Sequence, residues 1–387
     1  MTTPPNVLAL VGHAFGAAGG VAQYNRDFLS ALAASGAAGE IEILPREAAA
    51  GAATPDRIVQ HAPIRGRAAY AAGAIASALR RPADIVFCGH LYMAPLAAAL
   101  ARLAQAKLIV QMHGVEAWRR PSAAQRAAVE RADLVLCVSR RTRAEVLGWA
   151  ATPSERLVVL PDTVGEAFTP GDGAALRRAW DLDGRVVLLT VGRMDGRERY
   201  KGHDRVIAAM PELLRRGFDA VYVVIGEGDD RPRLEALAAQ TGVAGRVRFM
   251  GAADQETLVE ACRMADLFVM PSLGEGFGIA YLEAMACGCR AVGFDAGGAR
   301  DALGDGALGV IATPATLAAD LAAALDRPGP APEDLSASIQ ARFGKAVFAA
   351  ELARIFDRLS RGDLAGEAAL GAASAHPYAP TPMRSIN

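Results

Sequence analysis

Residues 272–288 read S-L-G-E-G-F-G-I-A-Y-L-E-A-M-A-C-G. It follows an apolar run, Leu267–Met270, that is typical of a buried parallel strand. Glycines at 274, 276 and 278 then lead into a helix-forming segment over 280–286. Glycines allow backbone N–H groups to approach a ligand closely, and the N-terminus of a helix favours an anion. The stretch therefore predicts an anion site at the carboxyl end of a strand in a parallel sheet.

Two carboxylates belong to the same stretch. Glu275 precedes the helix and Glu283 lies about two turns into it, a spacing that allows both to face one crevice. Acidic residues are also favoured near the start of helices for reasons of stability alone. Solvated or helix-capping acids are therefore the simpler interpretation of the pair on its own.

The segment resembles the E-x7-E signature of retaining glycosyltransferases of the GT-B fold, specifically glycosyltransferase family 4, the group 1 family. The resemblance covers most of residues 6–360 and is strongest over 190–300. It implies an α/β protein with two Rossmann-like, doubly wound parallel-sheet domains that face each other across a cleft. It further implies transfer of a sugar from a nucleoside-diphosphate sugar, with GDP-mannose or a UDP-sugar expected, to an acceptor hydroxyl with retention.

Two cations follow a predicted strand at 186–191, in the sequence G-R-M-D-G-R-E-R-Y-K-G. Arg193 and Lys201 suit the charges of a diphosphate, although cations on a surface loop are usually solvated. The absence of G-K-[ST] excludes a P-loop. The spacing is similar to the family's G-R…K-G element, in which both cations stabilise the departing diphosphate.

The resemblance implies a role for each matching residue. Glu275 would hold the donor sugar and Glu283 the ribose hydroxyls, while His113 would approach the reacting sugar. The catalytic set implied is His113, Glu275, Arg193 and Lys201. The donor-binding set implied is Gly19, Gly20, Arg193, Lys201, Gly226, Glu275, Gly276, Phe277, Gly278, Ile279 and Glu283.

In the N-terminal half, short apolar strands alternate with alanine-rich helices, which indicates a parallel doubly wound sheet. Ligands bind such sheets at the carboxyl ends of the strands, where His90, His113 and Ser139 fall. His113 could equally be a structural hydrogen-bonding group. Its position at the end of a strand and the following Gly114 are the observations that favour a role in the functional site. His90 is a candidate acceptor contact or a core partner, and Ser139 is interpreted as a helix N-cap. The glycines of the first loop do not have the G-x-G-x-x-G spacing of dinucleotide dehydrogenases.

The chain has 387 residues, 52% of them hydrophobic and 21% charged, which suits two domains with full cores. We expect an acceptor-side domain over 1–168, a donor-binding domain over 169–340, a helix over 341–362 that returns to the first domain, and a flexible tail over 363–387. At the linker, Asp162-Thr163 replaces the Asn-Gly common in the family. This replacement puts a donor contact from the linker loop in doubt.

Residues 1–168 hold 17 Lys and Arg against 13 Asp and Glu, whereas the remainder holds 24 against 29. The basic half suits an anionic acceptor or membrane surface. Two basic clusters, 65–81 and 118–126, predict either peripheral contact with anionic lipid or simply solvated helix faces. We expect a glycan, glycolipid or polyprenyl-diphosphate-linked acceptor, as in exopolysaccharide or glycolipid assembly, and no nucleic acid, because no basic patch interleaves with aromatic residues.

Five scattered cysteines without C-x-x-C spacing predict buried thiols and a protein of the reducing cytoplasm. If the basic clusters bind lipid, we expect the protein at the inner face of the cell membrane. The start of the sequence does not resemble a signal peptide, and 94–106 is interpreted as a core helix rather than a membrane span. No metal or other cofactor is expected, and Asp229-Asp230 are interpreted as residues at a helix start. A GT-B epimerase or hydrolase and a non-catalytic nucleotide-sugar-binding subunit are the alternative functions.

Overall fold

The structure, a computed structural model, describes residues 3–47 and 51–363. These residues form two compact units. The N-terminal unit takes the described residues up to Pro161 together with those from Ala350 onward, and the C-terminal unit is Asp162–Ala349. The predicted domain boundaries at 168 and 340 lie within ten residues of these divisions. Apart from Asp363, the predicted flexible tail lies outside the described residues.

Within its described residues, the N-terminal unit contains a parallel sheet of seven strands. The strands are β1 (Val7–Val11), β2 (Ile41–Pro45), β3 (Ile58–Gln60), β4 (Ile85–Cys88), β5 (Lys107–Met112), β6 (Leu134–Cys137) and β7 (Leu157–Val159). The helices are α1 (Gly20–Ser35), α2 (Arg67–Arg80), α3 (Ala94–Ala104), α4 (Ala123–Arg131) and α5 (Arg140–Trp149). The strand order is β3-β2-β1-β4-β5-β6-β7. Every residue of β1, β4 and β6 is buried, as expected of parallel strands with both faces covered.

The C-terminal unit repeats this architecture with six strands in its described residues. The strands are β8 (Val186–Val191), β9 (Ala220–Ile225), β10 (Val247–Gly251), β11 (Leu267–Met270), β12 (Arg290–Phe294) and β13 (Val310–Ala312). The helices are α6 (Ala174–Ala179), α7 (His203–Arg215), α8 (Arg231–Gln240), α9 (Gln255–Met264), α10 (Ile279–Ala286), α11 (Ala299–Ala302), α12 (Leu317–Asp326) and α13 (Pro332–Phe343). The next helix, α14 (Lys345–Arg361), begins in this unit and continues in the N-terminal unit. The order β10-β9-β8-β11-β12-β13 is that of a doubly wound sheet.

The strand order places the functional loops. In each sheet the order reverses between two neighbouring strands, β1 and β4 in one and β8 and β11 in the other. Crevices form at such switch points because successive crossovers leave on opposite faces of the sheet. In the C-terminal unit the loops after β8 and β11, which carry the predicted cations and glycines, therefore meet at one edge.

Helix α14 contributes residues to both units, because the division between them falls inside it. In the N-terminal unit Phe356 packs against Phe28, with ring centroids 6.2 Å apart, and Phe28 stacks on Phe87 at 4.4 Å. Lys107 Nζ donates to the carbonyl of Leu359. Helix α14 is thereby part of the N-terminal core.

The linker around 161–164 is paired with the segment before α14. Val164 N donates to the Phe343 carbonyl at 3.0 Å, and Thr163 Oγ1 donates to the same carbonyl at 2.7 Å. Thr163, which stands where the family commonly has glycine, is thus a buried structural residue.

Two further expectations concern burial. All five cysteines are free and buried, as predicted. The segment 94–106 contains α3, whose inner face packs in the N-terminal core. None of the helices in the described part of the chain has the length and apolar character required to span a bilayer.

Candidate functional site

The structure brings two of the predicted residues together in the C-terminal unit. Lys201, in the short 3-10 turn Arg199–Lys201 after β8, places its Nζ 3.3 Å from Oε1 of Glu275, in the loop after β11. The side chains are only 16% and 12% exposed. A cation and an anion shielded to this degree interact much more strongly than a solvated surface pair. Lys201 is therefore shielded and paired, whereas the sequence of the loop alone would suggest a solvated cation.

The loop that carries Glu275 is held by backbone contacts. Gly298 N, in the loop after β12, donates to the Glu275 carbonyl at 2.7 Å. Gly297 has a φ of +60°, and a Cβ built there would lie 2.1 Å from the same carbonyl oxygen. A side chain at 297 would therefore displace the Glu275 loop, which explains the glycine at this position.

Helix α10 begins directly after this loop. Its N-cap is Gly278 in the left-handed conformation, and Ile279 is its first residue. Phe277 is buried against Phe343, with ring centroids 5.6 Å apart, and so anchors the turn. Glu283 lies half-buried in the second turn of α10. The backbone N–H groups of a first helical turn provide the positive end of the helix dipole.

Arg193 and the loop after β8 are positioned by residues that the sequence did not single out. Arg193 Nη2 lies 2.6 Å from Oε1 of Glu198, and the arginine side chain is 71% exposed. Its carbonyl accepts from His203 Nε2 at 3.2 Å, while Nδ1 of His203 lies 3.3 Å from the Tyr222 hydroxyl. Burial lowers the pKa of His203, so its neutral form is favoured. His203 thus fixes the loop backbone while the guanidinium stays accessible.

The G-E-G turn after β9 packs against this loop. Gly226 has a φ of +145°, and a Cβ there would lie 2.1 Å from the Gly192 carbonyl oxygen. Met194 N donates to the Glu227 carbonyl at 2.8 Å. Gly226 therefore allows the two loops to touch through their backbones.

Asp229 and Asp230 are engaged in contacts of their own. Asp230 pairs with Arg199 at 2.9 Å and with Arg233 at 2.6 Å, and Asp229 Oδ1 accepts from Gly196 N at 2.6 Å. Across the described part of the chain, no group of three or more potential metal ligands from His, Cys, Asp and Glu lies together. The two aspartates hold the loops around β9 in place.

In the N-terminal unit, His113 and His90 lie close together at the ends of β5 and β4, with ring centroids 6.1 Å apart. His113 Nε2 donates to the Gly89 carbonyl at 2.9 Å, which leaves Nδ1 as the acceptor of a neutral ring. Burial lowers the pKa of His113, although the nearby Glu116 carboxylate opposes this shift. Tyr24 packs edge-on against the ring at 5.3 Å. His113 is therefore held in one orientation and one tautomer.

His90 has a capping role, because its Nδ1 accepts from Tyr92 N at 3.3 Å at the start of the turn Leu91–Met93. Burial also lowers the pKa of His90. Ser139 caps α5 by accepting from Thr142 N, as predicted.

Gly19 and Gly20 lie at the start of α1. Gly19, with a φ of +99°, is its N-cap, and Gly20 is its first residue. A Cβ built on either glycine would have no atom within 4 Å. The amides of this first turn are thus open on the side where a side chain would stand.

Comparisons with known proteins agree with this architecture. The protein-family model described as Glycosyltransferase Family 4 matches residues 18–165 of the sequence. The family model described as Glycosyl transferases group 1 matches residues 174–339. The Anabaena protein HepE in complex with UDP and glucose superposes with a TM-score of 0.75 at 17% identity, over 91% of this chain and 99% of that one. Sucrose-phosphate synthase from Thermosynechococcus elongatus superposes with a TM-score of 0.76 at 21% identity, over 92% of this chain and 100% of that one. The fold is GT-B, and the chain belongs to the group 1, family 4 glycosyltransferases.

Two curated relatives are more similar in sequence. The GDP-mannose-dependent alpha-(1-6)-phosphatidylinositol monomannoside mannosyltransferase of Mycolicibacterium smegmatis is 37% identical over 235 residues, 56% of this chain and 60% of that protein. D-inositol 3-phosphate glycosyltransferase of Geodermatophilus obscurus is 39% identical over 207 residues, 50% of this chain and 45% of that protein. The chain spans about half the length of the curated relatives it matches.

Proposed function

We propose that the protein is a retaining glycosyltransferase that moves a sugar from a nucleoside-diphosphate sugar to an acceptor hydroxyl. The observation that carries this proposal is the shielded Lys201–Glu275 pair beside the first turn of α10. A diphosphate bound there would meet Lys201 and the backbone N–H groups of the helix, while Glu275 would accept from a donor sugar hydroxyl.

The leaving group gains negative charge as the glycosidic bond breaks, so preorganised cations act mainly on the transition state. Lys201 supplies a shielded charge, and the accessible Arg193 adds a second one. Because these groups and the helix N-terminus can balance a diphosphate, we propose that no divalent metal is required. Glu283 would bind the ribose hydroxyls, and Gly19 and Gly20 would present the first turn of α1 to the donor phosphates.

His113 would contact the donor sugar through Nδ1, since Nε2 is engaged by the Gly89 carbonyl. A neutral ring can accept from a sugar hydroxyl there, and its lone pair can also face a developing oxocarbenium ion. We propose attack on the same face of the sugar, with the departing phosphate oxygen taking the acceptor proton. A covalent intermediate on Glu275 is the alternative, and it requires the carboxylate to leave Lys201.

GDP-mannose or a UDP-sugar is the proposed donor. The Mycolicibacterium smegmatis relative is GDP-mannose-dependent, which favours GDP-mannose as the first compound to test. Its named acceptor is a phosphatidylinositol mannoside, which agrees with a role here in glycolipid or exopolysaccharide assembly at the inner face of the membrane.

Thermal-shift titration with GDP-, UDP- and ADP-sugars in EDTA tests the donor site. We expect one nucleotide family to raise the melting temperature of the wild type, because a ligand that binds only the folded state stabilises it. The shift should disappear in Glu283→Ala and Lys201→Ala and persist in two controls. Glu256→Ala changes an exposed glutamate of α9, and Arg197→Ala removes a 91% exposed cation of the same loop as Arg193. A wild type that no nucleotide sugar stabilises would contradict the proposal.

Product analysis separates the alternative functions. Turnover that requires an acceptor extract and yields a glycosylated product supports transfer. Free sugar or an epimerised donor without acceptor would instead identify a hydrolase or epimerase, and binding without turnover would identify a non-catalytic subunit.

A further inference from the structure

Tyr200 lies in the candidate site of the C-terminal unit, and none of the roles proposed above uses it. It is the middle residue of the 3-10 turn Arg199–Lys201 and directly precedes the cation that pairs with Glu275. Its side chain is half-buried. Its backbone carbonyl accepts from Leu273 N, in the loop after β11, at 2.8 Å. The turn and the loop that carries Glu275 are thereby joined at Tyr200.

The ring of Tyr200 contacts the side chain of Lys201. Lys201 Nζ lies 5.9 Å from the ring centroid, within the range of a cation–π interaction. The same ammonium group lies 3.3 Å from Oε1 of Glu275. The ring therefore restricts the position of the ammonium group without neutralising its charge.

The hydroxyl of Tyr200 lies near both ion pairs of the site. Glu198 and Glu275 are close to it, and so is Arg193, the partner of Glu198. Burial raises the pKa of Tyr200 above the ordinary value of about 10, and the two carboxylates raise this pKa further. The hydroxyl is therefore protonated at neutral pH and can donate a hydrogen bond.

The Tyr200 hydroxyl differs from those of three buried tyrosines in the availability of its proton. The hydroxyls of Tyr70, Tyr222 and Tyr281 each donate to an oxygen atom of the protein. Within residues 3–47 and 51–363, the hydroxyl of Tyr200 makes no such hydrogen bond. A half-buried donor without an acceptor in the protein can donate to a ligand.

A phosphate oxygen is the ligand atom best suited to this hydroxyl. The neighbouring carboxylates are already engaged, since Glu198 pairs with Arg193 at 2.6 Å and Glu275 with Lys201 at 3.3 Å. A diphosphate bound by the two cations would come close to the hydroxyl that neighbours both pairs. A hydrogen bond to a charged phosphate oxygen is also roughly twice as strong as one to a neutral sugar hydroxyl.

We infer that Tyr200 is a further donor-binding residue, whose hydroxyl donates to an oxygen of the diphosphate and whose ring holds Lys201 in place. The inference rests on the proposed function, because the diphosphate is that of the nucleotide-sugar donor. Tyr200 adds a neutral hydrogen-bond donor to the two cations of the site. Such a group stabilises the leaving diphosphate without placing a further buried charge in the site.

Calorimetric titration of the full chain tests the inference. GDP, UDP and ADP are titrated, together with their nucleosides and with GDP-mannose, UDP-glucose and ADP-glucose. Tyr200→Phe removes the hydroxyl and keeps the ring beside Lys201, whereas Tyr200→Leu removes both. The control is Tyr70→Phe, which removes a hydroxyl that donates to the Leu44 carbonyl in the N-terminal unit.

We expect Tyr200→Phe to bind the nucleoside diphosphate on the order of tenfold more weakly than the wild type, the scale of one hydrogen bond to a charged group. The affinity for the nucleoside should not change. Tyr200→Leu should bind the nucleoside diphosphate more weakly still, because Lys201 also loses the ring. Tyr70→Phe should bind every ligand as the wild type does.

Three results overturn the role of Tyr200 alone, while the wild type still binds a nucleoside diphosphate. The first is an unchanged affinity of Tyr200→Phe for that ligand. The second is equal weakening for nucleoside and nucleoside diphosphate, which indicates a structural role. The third is weakening confined to the nucleotide sugar, which assigns the hydroxyl to the sugar. A wild type that binds none of the nucleotides contradicts the proposed function, and the inference with it.

Discussion

Gly297→Ala tests whether the loop after β12 positions Glu275. The alanine would keep a φ of +60° only at a cost, and its Cβ would lie 2.1 Å from the Glu275 carbonyl oxygen, more than about 1 Å inside van der Waals contact. A non-glycine residue in this region costs roughly 1–3 kcal/mol. Losing the 2.7 Å hydrogen bond from Gly298 N adds about 1 kcal/mol. We therefore expect the C-terminal unit to lose about 2–4 kcal/mol of stability, or roughly 5–15 °C in melting temperature.

Activity should fall as well, because a shift of about 1 Å in a positioning group can reduce turnover on the order of 100-fold. Calorimetry and sugar transfer at saturating donor measure the two effects. The control is Gly245→Ala, since a Cβ at 245 would have no atom within 4 Å and this glycine lies outside the site loops. Equal melting temperature and turnover in Gly297→Ala and Gly245→Ala would refute the idea that this contact holds Glu275.

Three other perturbations follow from the structure. Lys201→Ala removes the cation beside the shielded Glu275, so nucleoside diphosphates should bind at least about tenfold more weakly, whereas the binding of a nucleoside should be unaffected. Calorimetric titration with each ligand measures the two affinities. Equal weakening of both would contradict the role of Lys201 at the diphosphate. Burial lowers the pKa of His113 and His203 below the ordinary 6.5, so the unfolded chain binds protons first as the pH falls. Their contribution to stability should be complete above pH 6.5 and decline below it, and urea midpoints from pH 5 to 8 should show a shallower decline in His203→Gln than in the wild type. Tyr222→Phe removes the hydroxyl that donates to Thr190 Oγ1 at 2.8 Å and contacts His203. The variant should lose about 1–2 kcal/mol of the free energy of unfolding, measured in urea. An unchanged urea midpoint would mean that this hydroxyl does not contribute to stability.

The sequence predicts the central strands well and the shortest edge strands poorly. The strands β1, β4 and β11 are continuous apolar runs, and β8 is interrupted only by Thr190, because both faces of these strands are covered. By contrast, β3, β7 and β13 have only three residues each and lie at sheet edges. Strands of this length give no periodicity to detect, so the sequence does not predict them.

In the candidate site, too, the sequence predicts some residues and leaves others to be found from the structure. Lys201 and Glu275 are 74 residues apart, yet both could be named because each belongs to a short motif at a predicted strand end. Glu198 and His203 belong to no such motif, and their relevance comes from the groups they contact, Arg193 and Tyr222. A sequence pattern identifies residues that carry charge, whereas the residues that aim this charge depend on tertiary contacts.

Lys201 and Arg193 illustrate why the supporting contacts matter. Lys201 is shielded and paired with Glu275, whereas Arg193 is exposed, with its guanidinium paired to Glu198 and its carbonyl held by His203. A shielded charge has little freedom to lose on binding and acts through a low dielectric, so Lys201 should contribute most of the electrostatic stabilisation. Arg193 can instead follow a moving phosphate, at the cost of ordering its side chain. The two cations of one motif are therefore expected to differ: Lys201→Ala should lower turnover at saturating donor, and Arg193→Ala should mainly raise the donor concentration required. Equal effects on both parameters in the two variants would show that the difference in exposure has no functional consequence.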